Sequence, residues 1–204
     1  LLRTRLAPVV GLLLLTAACA SDGRTLAPVD PHYTTTTGVG AAGATIGAPS
    51  GSESGSFLLS TNGFTAGSDL PTRFTCGGQG LSPPLSWTAP PAGVELDVVM
   101  RERSPEGKVQ WIVTGIDPAI LGFGEGGVPE MATEQVNASG NVGYLPPCPP
   151  PDTGITTYDI VLHVLDERLV VEPTEAAPDL AARIETMSKS EALLTAIINT
   201  GGSG

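Results

Sequence analysis

Two histidines, three cysteines and one glycine-rich run are the sequence's candidates for reactive or ligand-binding groups. His163 stands in Leu162-His163-Val164, among apolar residues in a strand-like stretch. An imidazole there could serve as a general base. A Ser–His–Asp arrangement also needs a nucleophile, and no Gly-x-Ser-x-Gly elbow is present. The expected role is therefore structural, a strand histidine packed or hydrogen-bonded between sheets. His32 lies in a polar, linker-like stretch where a ligand or catalytic role is not expected. Cys76 and Cys148 have no histidine or second cysteine at zinc-ligand spacing. Gly122-Phe123-Gly124-Glu125-Gly126-Gly127 loosely follows a phosphate-loop pattern. It lacks a following lysine and a helix to supply a dipole, and reads as a mobile loop. No catalytic residue, metal or cofactor is expected, and the chain reads as non-enzymatic.

The third cysteine has a different context. Arg3 and Arg5 precede an apolar stretch from Leu6 to Leu15, which ends in Thr16-Ala17-Ala18-Cys19. That stretch is about 10 residues long, where a membrane-spanning helix needs roughly 20, so it reads as a secretory signal. Cleavage after the small residues would leave Cys19 incidental. A lipobox would make Cys19 the diacylated first residue of the mature chain. Small residues just before the cysteine, no acid upstream and the adjoining apolar core favour the lipobox, although Thr16 stands where leucine is usual. The expected location is the outer face of the cell membrane, held there by acyl chains. In an oxidising compartment the two remaining cysteines, Cys76 and Cys148, are expected to pair.

Charge excludes one class of partner. The chain carries 10 basic and 21 acidic residues, a net charge of −11. Loss of Arg3 and Arg5 with the signal takes the mature chain to about −13. Nucleic-acid binding needs a basic footprint, and none is visible. An acidic surface is likewise repelled by anionic lipid headgroups, so acyl chains rather than surface charge must supply any membrane attachment.

The elements that would position these residues begin near Phe57. Residues 1–18 form the signal, and 19–56 the lipidated cysteine with a flexible Gly/Ser/Thr/Ala linker that cannot bury enough apolar surface to order itself. Residues 57–200 form the domain and 201–204 a flexible tail. Its texture is mainly β. Val94, Leu96, Val98 and Met100 alternate with Glu95 and Asp97, as in a half-buried strand. Val109–Ile116 and Tyr158–Leu165 are apolar on both faces and predict central strands. Phe57-Leu58-Leu59 and Arg73-Phe74-Thr75 are shorter candidates. Pro178-Asp179 predicts a helix to about Met187, and a second helix is expected from Ser188, with Ala192, Leu193, Ala196 and Ile197 at helical spacing. The expected architecture is two packed antiparallel sheets with short C-terminal helices.

Three stretches carry a family resemblance. Thr75-Cys76-Gly77-Gly78 with Leu81-Ser82-Pro83-Pro84-Leu85-Ser86-Trp87 resembles the T-C-x-G…S-P-P-L-x-W segment of phosphatidylethanolamine-binding proteins. Gly143-Tyr144-Leu145-Pro146-Pro147-Cys148-Pro149-Pro150 resembles their G-Y-x-G-P-C-P-P loop, and Tyr158 through Asp166 the strand that follows. The bacterial branch similar to Raf-kinase-inhibitor-like proteins matches best. The resemblance implies a two-sheet β-fold with a small anion pocket for phosphate or phospholipid headgroups. It places Glu102, Gln110, Trp111, Tyr144, Pro147, Thr156 and Thr157 around that pocket. The recognition residues themselves are altered. Arg101-Glu102-Arg103-Ser104-Pro105 stands near the family's acidic D-P-D-x-P loop, Gln110-Trp111 replaces a His-Trp pair, and Gly154-Ile155-Thr156-Thr157 replaces a G-x-H-R turn. Gln110, Thr156 and Thr157 can hydrogen-bond but cannot carry charge, while Arg101 or Arg103 could restore it if turned inward.

The expected function is a membrane-tethered module that binds a small molecule or lipid fragment. The alternative is a protein-interaction or inhibitor module acting through its surface. The tether is tested at Cys19. Cys19→Ser should move the protein from the membrane to the soluble fraction, and retention after a high-salt wash would show another attachment.

Overall fold

The protein is described by a computed structural model covering residues 57–201. The signal, Cys19, His32, the linker and Gly202–Gly204 lie outside the described residues. A three-stranded sheet contains β1 (Leu59–Ser60), β2 (Leu85–Trp87) and β5 (Gly122–Phe123), in that order. A five-stranded sheet has the order β6-β4-β3-β7-β8, from β3 (Glu95–Glu102), β4 (Val109–Ile116), β6 (Thr133–Glu134), β7 (Ile155–Leu165) and β8 (Ser188–Asn199). Every named pairing is antiparallel. One helix, α1 (Ala177–Met187), lies between β7 and β8 in the chain.

The two sheets enclose the main core. Leu85 and Trp87 meet Leu96, Val98, Met100, Trp111, Ile160 and Leu162, all buried. Phe123 holds the sheets together, with its ring edge-to-face on Trp87 at 5.9 Å and on Trp111 at 5.8 Å. This corrects the reading of 122–127 as a mobile loop, since its first two residues form a strand against β2. Gly122 is required there. It has φ +154°, and a Cβ would stand 2.5 Å from the Leu85 carbonyl oxygen. The expected strand at Arg73–Thr75 is instead part of a 3-10 turn over Thr72–Phe74, with Phe74 buried beneath it.

The other face of the large sheet is covered by α1. Ala177, Leu180, Ala181 and Ile184 recur at i, i+3, i+4 and i+7 and pack on Val99, Val109 and Ile112. The helix begins and ends where the proline and the apolar spacing predict. The second expected helix is a twelve-residue strand, β8. Ala192, Leu194 and Ala196 are buried while Leu193 is 55% exposed, a period of two. Local spacing permitted either structure. Pairing with all eleven residues of β7 decides it. The outer edge of β8 is partly covered, because Gly67 N–H donates to Thr195 C=O at 2.7 Å and Leu70 N–H to Ile197 C=O at 2.8 Å.

β3 is not half-exposed. Glu95 and Asp97 are buried like the strand's apolar residues through Met100, Arg101 and Glu102 at its end are half-buried, and Val94 before it is 44% exposed. His163 stands directly opposite Asp97 across β3 and β7, on the face away from the inter-sheet core. Asp97 Oδ1 accepts the Gly115 N–H at 3.1 Å. Its Oδ2 and both His163 ring nitrogens have no hydrogen-bond partner among the described residues. Burial, and then the nearby Glu95 carboxylate, push Asp97 up to about 8. Burial, and then the Arg101 guanidinium, bring His163 down to about 4. Around neutral pH both side chains are therefore uncharged. The outlying Glu191 carboxylate, 3.8 Å from His163 Nδ1, is largely exposed and does not reverse this.

The sign of the stability change follows from ordinary values of 3.8 for Asp97 and 6.5 for His163. Between about pH 4 and 6.5 the unfolded chain holds the proton on His163 and the folded chain holds it on Asp97. The proton counts are equal, so the pair adds no slope. From about pH 6.5 to 8 the folded state holds one proton more, and stability falls by up to about 1.4 kcal/mol per unit as pH rises. Asp97→Asn should abolish that alkaline fall. It should also uncover a new loss of stability as pH drops from 6.5 towards 4. Denaturant midpoints across this range test it, and an unchanged alkaline limb in the variant would refute the assignment.

Candidate functional site

A cavity of about 210 Å³ opens at one end of the large sheet. One side is polar and strand-borne, formed by Glu102 at the end of β3, Lys108 and Gln110 at the start of β4, and Thr153 and Thr156 at the start of β7. The other is a proline-rich segment that presents Leu145, Pro146, Cys148, Pro149 and Pro150.

Backbone irregularity brings Gln110 to this surface. Met100 pairs with Trp111 but Arg101 pairs with Val109, so Gln110 is an extra residue opposite one step of β3. Such a bulge re-aims a side chain that strict alternation would send to the opposite face from Trp111. Gln110 is buried, its Oε1 has no hydrogen-bond partner, and its C=O accepts the Leu145 N–H at 2.7 Å. That last bond seats the proline segment against β4. The segment is also joined to the 72–78 turn, through the Cys76–Cys148 disulfide with Cα atoms 5.4 Å apart and through Cys76 N–H donating to Pro147 C=O at 3.1 Å.

Three of the seven residues expected at the pocket, Glu102, Gln110 and Thr156, line the cavity. Trp111, Tyr144, Pro147 and Thr157 do not, each for a local reason. Trp111 is fully buried, donates its indole N–H to Glu134 Oε1 at 2.7 Å and packs edge-to-face on Tyr144 at 5.6 Å. Tyr144 donates its hydroxyl to the Phe74 carbonyl at 2.8 Å. Burial and then the neighbouring Tyr158 raise its pKa well beyond the usual phenol range. Pro147 is buried behind the loop and contributes its carbonyl to Cys76. Thr157 follows Thr156 in β7, so its side chain takes the opposite face; its C=O accepts the Arg103 N–H at 2.8 Å.

Both candidate replacement cations are committed elsewhere. Arg103 makes a two-pronged contact with Asp159, at 2.7 Å from Nε and 2.5 Å from Nη2. Arg101 pairs with Glu185 of α1, on the helix side of the sheet. The cavity lining holds one cation, Lys108, and one acid, Glu102. Burial, and then Glu102, push the adjacent Tyr158 phenol up to about 12. Neither phenol supplies an anion near neutral pH. Among the described residues no group of three or more His, Cys, Asp or Glu could hold a metal ion. Lys108 and Thr153 were not singled out in the sequence, where an exposed lysine and a loop threonine carry no signal.

The profile of the family described as phosphatidylethanolamine-binding protein matches residues 60–199. A Mycobacterium tuberculosis protein named as a lipoprotein, LppC, is 33% identical over 133 residues, covering 64% of this chain and 66% of that relative. The match thus spans just under two thirds of LppC. A UPF0098 protein of Methanothermobacter thermautotrophicus is 32% identical over 151 residues, covering 70% of this chain and 99% of its own. Among solved structures, a phosphatidylethanolamine-binding protein homologue, CT736 of Chlamydia trachomatis, aligns with a TM-score of 0.62 at 26% identity, over 71% of this chain and 97% of that one. E. coli YbcL, at 19% identity, gives a TM-score of 0.65 over 70% of this chain and 98% of its own, a likeness of fold alone.

Proposed function

The chain belongs to the phosphatidylethanolamine-binding protein family, and from that premise we propose that it is an exported, membrane-anchored binding module whose cavity takes a small, uncharged or weakly polar ligand. The anchor is acylated Cys19, a reading supported by the residues before it and by the similarity to a relative named as a lipoprotein. We read the module as non-catalytic: the cavity lining holds no histidine, and its one cysteine is committed to the disulfide.

One observation carries the ligand reading. Where the family resemblance implies histidines and an arginine, the cavity has Gln110 and Thr156, and Arg101 and Arg103 are held by Glu185 and Asp159. The single lining cation, Lys108, is offset by Glu102. A phosphate would receive neutral hydrogen bonds in place of charge-assisted ones, each of the latter contributing about 1.5–3 kcal/mol. The overall negative charge adds repulsion.

Titration calorimetry with inorganic phosphate and with phosphorylethanolamine should show no binding tighter than about millimolar. Gln110→His combined with Thr156→His should tighten phosphate binding below pH 6.5 by about two orders of magnitude. Micromolar phosphate binding by the wild-type chain would refute the reading. A thermal-shift screen of neutral small molecules tests the other half: a bound ligand raises the midpoint by mass action, whereas a surface-interaction module is stabilised by none of them.

A further inference from the structure

We infer that the Cys76–Cys148 bridge is a thiol-exchange site, and that opening it frees one wall of the cavity while both sheets stay folded. The 145–150 segment contains Pro146, Pro147, Pro149 and Pro150, so only Leu145 and Cys148 carry a backbone N–H. Its ends are tied down. Leu145 donates to Gln110, and the Pro150 carbonyl accepts the Thr200 hydroxyl at 3.0 Å. Between those ends the bonds among the described residues run to Cys76 alone: the disulfide, and the Cys76 N–H to Pro147 C=O hydrogen bond. Breaking the disulfide leaves that stretch on one hydrogen bond, donated by an exposed turn.

Position makes exchange chemically accessible. Cys76 and Cys148 are both exposed. Exposed bridges are the labile ones, while the purely structural disulfides of exported domains resist reduction. The reaction partner is a dithiol. Its thiolate attacks one bridge sulfur, the protein S–S bond breaks as a mixed disulfide forms, and the other cysteine leaves as a thiolate. The partner's second thiol then displaces the remaining cysteine. Two electrons pass to the protein, which holds two thiols after protonation, and the dithiol ends as its own disulfide. Because Cys148 lines the cavity, the same event changes the surface against which any ligand would rest. The inference goes beyond the binding reading and holds whatever the cavity accepts.

Hydrogen exchange on the full chain, oxidised and after dithiothreitol, tests this without a ligand when repeated at several low urea concentrations. Alkylation should first show two new thiols in the folded protein. After reduction the Leu145 and Cys76 amides should exchange at least about tenfold faster, at rates insensitive to urea, while amides of β3, β4 and β7 stay in a slow, urea-dependent class. Cys76→Ser/Cys148→Ser should give the same pattern at Leu145. Three results would overturn the inference: no thiols released from the native chain, wall amides unchanged by reduction, or wall amides joining the core in one urea-dependent class. The last would make the bridge a global cross-link only.

Discussion

β7 is paired along both edges, to β3 through eight residues and to β8 through eleven, and much of the structure takes its position from that double ladder. The side-chain period of a strand is two, so a slip of one residue would turn Ile160 and Leu162 out of the inter-sheet core and send His163 into it. The same register sets Tyr158 opposite Glu102 and brings Thr156 to the mouth of the cavity. α1 then closes the far face by covering residues of β3 and β4. Core, site and helix are consequences of a single alignment.

That alignment also places an acid and an imidazole side by side in a region with no water-facing side chains of their own. Two neutral groups are tolerable there, whereas a lone charge would cost several kcal/mol. Folding shifts a proton from ring to carboxyl in the acidic range, so the burial of two titratable groups gives stability little pH dependence until the pH passes about 6.5. The ion pairs on this face divide differently. Arg101–Glu185 joins strand to helix, while Arg168 stands 3.9 Å from the buried Glu95 carboxylate and remains 77% exposed itself.

The sequence made some of this legible and not the rest. Doubly apolar runs marked β4 and β7, and the Pro178 start with its 3.6-residue spacing marked α1, because those patterns reflect burial on known faces. The disulfide follows from the pairing of two cysteines and is present. β8 was unreadable locally: Ala192, Leu193, Ala196 and Ile197 satisfy a helical stripe, and only the waiting edge of β7 makes them a strand. Glu95 and Asp97 read as solvent-facing because alternation within one strand cannot report that the sheet's second face is covered as well. At the cavity, motif order brought Glu102, Gln110 and Thr156 to the right neighbourhood, but neighbours in a motif are not neighbours in a wall. Trp111, Tyr144, Pro147 and Thr157 support the site from behind. The bulge that turns Gln110 inward is a mismatch between two strands, and neither strand alone contains it.

The partial cover on β8 decides how this sheet meets other molecules. An uncovered edge strand is a template on which further strands, from the same or another chain, can add without limit. Here the 67–70 segment occupies the hydrogen-bonding groups of Thr195 and Ile197. The uncovered stretch presents Lys189 and Glu191 beside an exposed Leu193. At the opposite margin β6 is only two residues long. Among the described residues, short margins, the 67–70 strap and charged residues on the open part of β8 leave little edge for a second copy to extend.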